Sequence, residues 1–192
     1  LVRRQGVSLD AIHFSLEPFT DGAPTEKATS LATAIGVERL FVCQAGPLFS
    51  RIAKTGKHRY YFVLSKAFML RTAQAWAKRV GADLLVTGEN IGQVSSQTLQ
   101  HLSILAAQTS IPVVRPLLGW DKSETVAVAR RIGTYATSAG PEVCDVLGPK
   151  HPAVEAPAEL VAVELEKIDV PRLVEEALAA TCEVALAPTS TA

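Results

Sequence analysis

The feature that most constrains the fold is the regular alternation of short apolar segments with longer helical ones. Four segments read as strands, at residues 8–16, 38–44, 83–87 and 112–115, and helical segments separate them. Parallel strands need a crossover connection, which is usually a helix. The alternation therefore predicts an α/β fold with a parallel sheet and helices on both faces. In such sheets, ligands bind beyond the carboxyl ends of the strands.

The predicted helices are bounded by residues that favour helix ends. Gly36, Gly81 and Gly133 each follow a helical segment, and glycine readily takes the left-handed conformation that closes a helix. Thr25 and Asp121 stand where capping residues are expected. The longest helix spans residues 60–80. Its apolar residues recur at steps of three and four and form one stripe: Val63, Ala67, Leu70, Ala73, Ala77 and Val80.

Composition excludes several classes of protein. The chain has 19 basic and 19 acidic residues, which argues against a surface dominated by nucleic-acid binding but leaves room for a local basic patch. Its three cysteines contain no CxxC pair, so neither a disulfide scaffold nor a metal site is predicted. We expect a reducing, cytoplasmic setting and no association with a membrane, since no apolar run is long enough to span one.

One segment combines several features of a ligand-binding turn. Residues 87–97 read TGENIGQVSSQ and connect the apolar strand at 83–87 to the predicted helix at 95–107. Gly88 and Gly92 would let the backbone approach a ligand closely. Ser95 and Ser96 would offer free amides to an anion at the start of the helix. The alternative is an ordinary, well-capped strand–helix turn.

A second cluster, at residues 54–61, combines basic and aromatic side chains. It contains Lys54, Lys57, His58, Arg59, Tyr60 and Tyr61. In an enzyme that acts on nucleic acid, such a cluster could contact the phosphate backbone. The alternative is the solvated start of a helix.

Several segments together resemble one family. The segment TGENIGQVSSQTL is similar to the TGExxGQVxSQTL signature of the tRNA 4-thiouridine synthetases (tRNA sulfurtransferases, the ThiI family). Residues 114–135 resemble that family's RPLIGxDKxEIxxxAxxIGTY segment, and IHFSL at 12–16 matches its second strand. PEVC at 141–144, followed by PKHP at 149–152, resembles its cysteine loop. The resemblance covers about residues 1–155.

The resemblance implies a fold and an activity. It implies a PP-loop ATP pyrophosphatase fold, which is Rossmann-like and related to the adenine nucleotide alpha hydrolases. Family members use ATP, with Mg²⁺, to adenylate the C4 oxygen of a tRNA uridine. A persulfide sulfur then replaces that oxygen, giving 4-thiouridine and AMP. The implied partners are tRNA, a sulfur donor such as a cysteine desulfurase or a rhodanese, and a second copy in a homodimer. The same family also supplies sulfur for the thiazole of thiamine.

The resemblance also assigns roles to individual residues. The ATP-binding positions it implies are His13, Phe14, Lys66, Gly88 and Gln97. Cys144 matches the cysteine of the sulfur relay, which forms a disulfide in members with a rhodanese domain, and Asp121 matches the acidic residue of the DK motif. Four of these residues also have a plainer interpretation: His13 as a packed strand histidine, Lys66 as a solvated lysine, Cys144 as an incidental loop thiol and Asp121 as a helix cap.

The sequence departs from the family pattern at its start. The SGGxDS motif of the phosphate-binding loop does not occur, and LVRRQG at residues 1–6 matches the segment that follows that loop. We therefore expect the first strand, the loop and the tRNA-binding region to belong to a longer parent chain. The predicted organisation is an adenylating domain (1–157), a helical extension (158–186) and a disordered tail (187–192). The alternative is a non-catalytic remnant that binds a partner.

Overall fold

The alternation of strands and helices predicted from the sequence is present in the computed structural model, which describes residues 1–139 and 146–187. The strands are β1 (Asp10–Ser15), β2 (Arg39–Gln44), β3 (Leu85–Val86), β4 (Val113–Val114) and β5 (Thr181–Val184). The helices are α1 (Ala23–Ile35), α2 (Gly46–Thr55), α3 (Tyr61–Val80), α4 (Leu99–Ala106), α5 (Lys122–Arg131), α6 (Tyr135–Ser138), α7 (Ala158–Lys167) and α8 (Val170–Ala179). Short 3₁₀ turns lie at Val2–Gln5, His58–Tyr60 and Ser95–Gln97. The predicted α/β class is confirmed.

The described strands form two hydrogen-bonded units. In the first, β1 runs parallel to β2 and β5 runs antiparallel to β2. In the second, β3 and β4 run parallel to each other. Within residues 1–139 and 146–187 no strand pairing joins the two units. The carboxyl ends of β1 and β2 lie together because the two strands pair in register along their whole length.

Helix α3 lies at the centre of the hydrophobic core. Most residues of its first three turns are buried, with Leu64, Ala67 and Phe68 all 0% exposed. The Phe68 ring meets Phe14 of β1 at 6.2 Å and Phe49 of α2 at 5.5 Å, both in edge-on geometry. The apolar stripe predicted for this helix is therefore one part of a wider buried surface.

The helix ends follow the predicted glycines. Gly36, Gly81 and Gly133 all adopt positive φ after α1, α3 and α5. The predicted cap Thr25 is wrong, because α1 begins two residues earlier, at Ala23, whose amide donates to the Asp21 carboxylate.

The almost wholly apolar segment 83–87 fits a central strand buried on both faces, and that expectation is wrong. The regular strand is only Leu85–Val86, and Val86 is 37% exposed. In the described residues β3 has a partner strand only on its β4 side, so the apolar run is covered on fewer sides than a central strand would be.

The segment predicted as a helical extension, 158–186, contributes to the main core. Val161 and Leu165 of α7, with Leu173 and Ala177 of α8, belong to the same hydrophobic cluster as Phe68. The two helices of this segment are separated at Asp169, which adopts φ 52°. The strand β5 was not predicted, because its four residues form a strand by pairing with β2. None of the helices in the described ranges is long and apolar enough to cross a membrane.

The start of α2 packs directly on the turn after β1. The amide of Ala45 donates to the Ser15 carbonyl at 3.0 Å. A Cβ atom added to Gly46 would lie 2.0 Å from the Glu17 carbonyl oxygen and 2.7 Å from that of Leu16. Only glycine allows this approach of two backbone segments, so Gly46 fixes the spacing between the ends of β1 and β2.

This contact predicts a large difference between two glycine-to-alanine variants. Gly46→Ala should lower the free energy of unfolding by about 2 kcal/mol or more, since both obstructing atoms are backbone. Gly119→Ala is the matched control, because nothing lies within 4 Å of its added Cβ atom. Thermal and urea unfolding would compare them, and equal stabilities would contradict the assigned role of Gly46.

Candidate functional site at the carboxyl ends of the strands

A buried carboxylate joins three elements at the carboxyl ends of β3 and β4. Glu89 follows β3 and is only 5% exposed. Its Oε1 atom is 3.0 Å from Lys66 Nζ of α3, and its Oε2 atom is 2.7 Å from Arg115 Nε, directly after β4. Thr87 Oγ1 donates to Oε2 at 3.2 Å. Both carboxylate oxygens are therefore paired with cationic donors.

The two cations keep Glu89 ionised although it is buried. Burial alone would raise its pKa, because a low-dielectric surrounding disfavours the charged form. The hydrogen bond from Arg115 and the nearby ammonium of Lys66 outweigh burial and hold the pKa below its ordinary value. The cluster thus carries two positive charges and one negative charge at neutral pH.

The loop that carries Glu89 is fastened to the loop after β4. Asn90 Nδ2 donates to the Leu117 carbonyl at 3.0 Å and also to the Trp120 carbonyl. The Ile91 amide donates to the Leu118 carbonyl at 3.0 Å. These bonds connect the two sequence segments that carry the family resemblance, so the signature segments form one structural unit.

The end of the same loop is closed by Gln97. Its side-chain oxygen accepts from the Asn90 amide at 3.2 Å, and its carbonyl accepts from the Gly92 amide at 3.0 Å. Gln97 therefore lies next to Glu89 in space, as the predicted grouping of Gln97 with Lys66 and Gly88 requires.

The predicted start of the helix after this loop is wrong. Ser95–Gln97 forms a 3₁₀ turn, and α4 begins at Leu99. Thr98 has extended backbone angles, and its hydroxyl accepts from the His101 amide at 3.2 Å, which is the geometry of a helix cap. Ser96 is buried at 3% exposure, so the proposed anion-binding pair of serines at a helix start is not formed.

Gly92 and Gly88 differ in whether the fold of the loop requires glycine. Gly92 has φ +74°, a conformation that L side chains rarely adopt. Gly88 has no such constraint, and the nearest atom to an added Cβ would be Leu117 Cδ1 at 4.0 Å. The fold itself therefore does not require glycine at position 88, and the open space in front of its backbone is available to a bound group.

The two predicted residues on β1 point to opposite faces of the sheet, as adjacent strand residues must. Phe14 packs edge-on against Phe68 of α3, in the hydrophobic core. His13 is half-buried, and its Nε2 atom has no hydrogen-bond partner in the described part of the chain. Burial lowers the His13 pKa, with a smaller opposing effect from Glu17.

Asp121 occupies the cap of α5, as predicted. Its amide donates to Glu124 Oε2 at 2.7 Å, which is the reciprocal half of a capping box. The residue is exposed and follows Trp120, whose carbonyl accepts from Asn90. Asp121 is therefore at the edge of the cluster rather than inside it.

Cys144 lies outside the described residues. The chain is described again from Val146, and residues 147–153 run along the start of α3. Among the described residues no group of three or more His, Cys, Asp or Glu side chains is arranged to hold a metal ion.

Sequence reasoning identified neither Arg115 nor Glu89 as a site residue. Both carry a recognisable signal, since each is a charged residue within three positions of the end of a short apolar strand. Arg115 Nη2 is buried without a protein partner in the described ranges, which leaves one guanidinium donor unused.

The cluster predicts that the protein loses stability when the negative charge of Glu89 is removed. Glu89→Gln should lower the free energy of unfolding at pH 7 by about 2 kcal/mol, because it leaves Arg115 buried beside a neutral amide. Glu175→Gln is the matched control, since Glu175 is exposed and has no ion pair in the described residues. A Glu89 variant as stable as the control would show that the pairing contributes little.

The lowered pKa of Glu89 predicts how the destabilisation caused by Glu89→Gln depends on pH. A carboxylate with a depressed pKa stabilises the folded state above its unfolded pKa, which is near 4.5 for glutamate. That contribution is lost as pH falls from about 4.5 through the folded-state pKa. The stability difference between the protein and its Glu89→Gln variant should therefore be constant from pH 6 to 8 and shrink below about pH 4.5, as urea unfolding at each pH would measure.

Comparisons with known proteins point to one family. The family model described as thiamine biosynthesis protein (ThiI) matches residues 1–170. A probable tRNA sulfurtransferase of Finegoldia magna is 37% identical over 184 residues, covering 93% of this chain and 47% of the relative. One from Thermus thermophilus is 42% identical over 164 residues, covering 82% of this chain and 40% of the relative.

A solved structure shares the fold. The crystal structure of a 4-thiouridine synthetase–RNA complex with bound ATP superposes with a TM-score of 0.88 at 32% identity, over 96% of this chain and 50% of that one. The chain spans about half the length of the curated relatives it matches. From the family model and these similarities we conclude that the chain belongs to the ThiI family.

Proposed function

We propose that the protein containing this chain is an ATP-dependent tRNA sulfurtransferase that converts a tRNA uridine to 4-thiouridine. The observation that carries the proposal is the Lys66–Glu89–Arg115 cluster beside the open backbone of Gly88. It places cationic donors where α/β proteins bind phosphate groups, within the segments that match the family. The relatives named as tRNA sulfurtransferases and the RNA-bound, ATP-bound structural neighbour support the reaction class.

ATP is the proposed nucleotide substrate, bound by His13, Phe14, Lys66, Gly88 and Gln97. The residues present suit it in three respects. Arg115 and His13 each have a buried polar nitrogen without a protein partner in the described ranges. Lys66 uses one of its ammonium hydrogens on Glu89 and keeps the others for phosphate oxygens. Gly88 leaves room for close approach. Phe14 would contribute its backbone and the packing of its ring on Phe68.

Mg²⁺ is proposed to arrive with the nucleotide. The described residues contain no cluster of carboxylates that would hold the ion by themselves. Mg²⁺ commonly keeps several waters and binds through substrate phosphates and one or two carboxylates. Asp121 is exposed at the edge of the site and caps α5. It is also the candidate for a carboxylate that binds Mg²⁺ or for a residue that handles the uridine.

The chemistry explains why ATP is needed. A carbonyl oxygen is a poor leaving group, whereas AMP is a good one. Transfer of the adenylyl group to the uridine O4 releases pyrophosphate. Attack by the terminal sulfur of a persulfide at C4 then expels AMP and leaves that sulfur joined to both C4 and the sulfur of the persulfide cysteine. Attack of a second thiolate on the cysteine sulfur breaks the S–S bond, which releases 4-thiouridine and forms a disulfide. The contribution of this chain is to position and neutralise phosphate charge through fixed cations. Cys144 is the proposed thiol of the sulfur relay, with a cysteine desulfurase or a rhodanese as the donor.

The remaining features of the whole protein are also proposals. They are a cytoplasmic location, a homodimeric state, and an adenylating domain at 1–157 followed by segments 158–186 and 187–192. Sulfur supply for thiamine thiazole is a second proposed role, favoured by the description of the matching family model. The competing proposal is a non-catalytic remnant that binds a partner, which predicts no nucleoside product.

The first test is formation of 4-thiouridine in cells. A strain that lacks the enzyme would be complemented with the full-length gene or its Cys144→Ser version, and 4-thiouridine measured in its tRNA. We expect restoration by the first and loss with the second, and Cys182→Ser should behave like the unmodified gene. An expressed, folded protein that restores no 4-thiouridine would favour the remnant.

A second test separates nucleotide binding from folding. Gly88→Ala should leave the unfolding temperature unchanged, since its Cβ atom meets no close neighbour, but should weaken ATP binding by roughly tenfold through contact with the ligand. Gly92→Ala is the counterpart, and should cost about 1 kcal/mol of stability because of its positive φ. ATP binding by Gly88→Ala equal to that of the unmodified protein would remove position 88 from the site.

A further inference from the structure

Four exposed cations lie on one surface at the start of α3. We call Lys54, Lys57, Arg59 and Lys150 the basic surface. Lys54 is in the last turn of α2, Lys57 and Arg59 belong to the connection between α2 and α3, and Lys150 belongs to the PKHP segment at 149–152. Lys150 is about 90 positions further along the sequence than the other three cations, so only the fold brings it next to them.

One side-chain contact and one backbone hydrogen bond hold the two segments side by side. His58 Nε2 lies 3.0 Å from the Leu147 carbonyl oxygen, and the Ala153 amide donates to the Arg59 carbonyl at 2.9 Å. These two contacts lie on either side of Lys150 in the sequence. A Cβ atom on Gly148 would be 2.4 Å from the Phe62 ring, so this segment runs directly against α3.

The described part of the chain pairs none of the cations of the basic surface with a carboxylate. In the described residues none of its four cations lies within ion-pair distance of a carboxylate. The nearby Glu164 accepts the backbone amide of Lys57 at 2.6 Å and pairs with Lys167 at 3.8 Å. Because the whole chain has a net charge of zero, the surface is a local excess.

Two of the cations are held in place by an aromatic ring. Lys57 Nζ lies 5.1 Å and the Arg59 guanidinium carbon 5.9 Å from the centre of the Tyr60 ring, and Tyr60 is only 5% exposed. Cation–π contact restricts the side chains while leaving their hydrogen-bond donors free. The ring is too buried to stack on a base or to form the apolar centre typical of a protein interface.

The basic surface is close to the candidate site. Arg59 precedes Lys66 by seven residues, mostly within α3, which is about 10 Å along a helix axis. A polyanion lying on this surface would therefore pass beside the Lys66–Glu89–Arg115 cluster.

We propose that the basic surface binds the phosphate backbone of the RNA substrate and so guides it to the nucleotide site. This inference rests on the proposed function, since it takes RNA as the substrate. Unpaired lysine and arginine side chains without an exposed apolar centre fit a phosphate backbone, which is bound through charge and independently of sequence. The surface fixes the position of the RNA, and other residues select the uridine.

The experiment uses the full-length protein with the triple change Lys57→Gln, Arg59→Gln and Lys150→Gln. Affinity for unmodified tRNA would be measured across a series of salt concentrations. Each lost phosphate contact should reduce the slope of log affinity against log salt by about 0.7–0.9, so the triple variant should lose about 2 to 3 in slope. The KM for tRNA should rise roughly tenfold, with kcat at saturating tRNA and ATP affinity unchanged.

A matched control lies at the other end of the same helix. Lys78→Gln with Arg79→Gln removes two exposed cations, one of which stands over Trp76 at 5.8 Å as Arg59 stands over Tyr60. This control should keep the salt slope of the unmodified protein. Should the triple variant unfold, Lys150→Gln alone tests the same point, with an expected slope change of about 0.8.

The outcomes separate the two proposals. An unchanged salt slope in a folded triple variant would overturn the role of the basic surface and leave the proposed function intact. Normal RNA binding with slower sulfur transfer from the donor protein would assign the surface to that protein instead and overturn the RNA assignment. An unmodified protein that neither binds tRNA nor thiolates it would overturn both proposals.

Discussion

The structure depends on the burial of helix α3 between two sheet units that share no backbone hydrogen bonds in the described residues. Phe68 of α3 meets Phe14 of β1, and Trp76 meets Phe41 of β2 with ring centres 5.0 Å apart. Apolar residues of β3 and β4 pack on the same cluster from the other unit. The relative position of the two units is therefore set by side-chain packing on one helix. A single fully buried phenylalanine contributes about 3–5 kcal/mol to such packing.

This packing also determines the electrostatics of the candidate site. Lys66 is on the helix that forms the core, Glu89 follows one strand, and Arg115 follows its neighbour. A buried carboxylate is stable only when it is paired, so Glu89 requires both cations at fixed positions. Cations held in this way need little rearrangement when a phosphate group binds. The geometry that stabilises the fold thus also prepares the site for an anion.

Sequence reasoning was most accurate where local chemistry decides the structure. Gly36, Gly81 and Gly133 close helices as predicted, and Asp121 caps α5. It failed where a neighbour decides. The helix expected at 95 begins at Leu99, because Thr98 caps it and the residues before it bond to the Glu89 loop. The strand β5 was missed, since four residues carry too short a pattern to indicate a strand without its partner β2.

The sequence by itself determined the α/β class, the glycines that close α1, α3 and α5, and the family, because these depend on residue types at fixed spacings along the chain. Only the tertiary structure decided that Arg115 joins Lys66 on Glu89, and that Lys150 joins Lys57 and Arg59 on one surface. Those groupings bring together residues 23 to 93 positions apart. Local propensity acts over a few residues, whereas packing on α3 selects which distant charges meet.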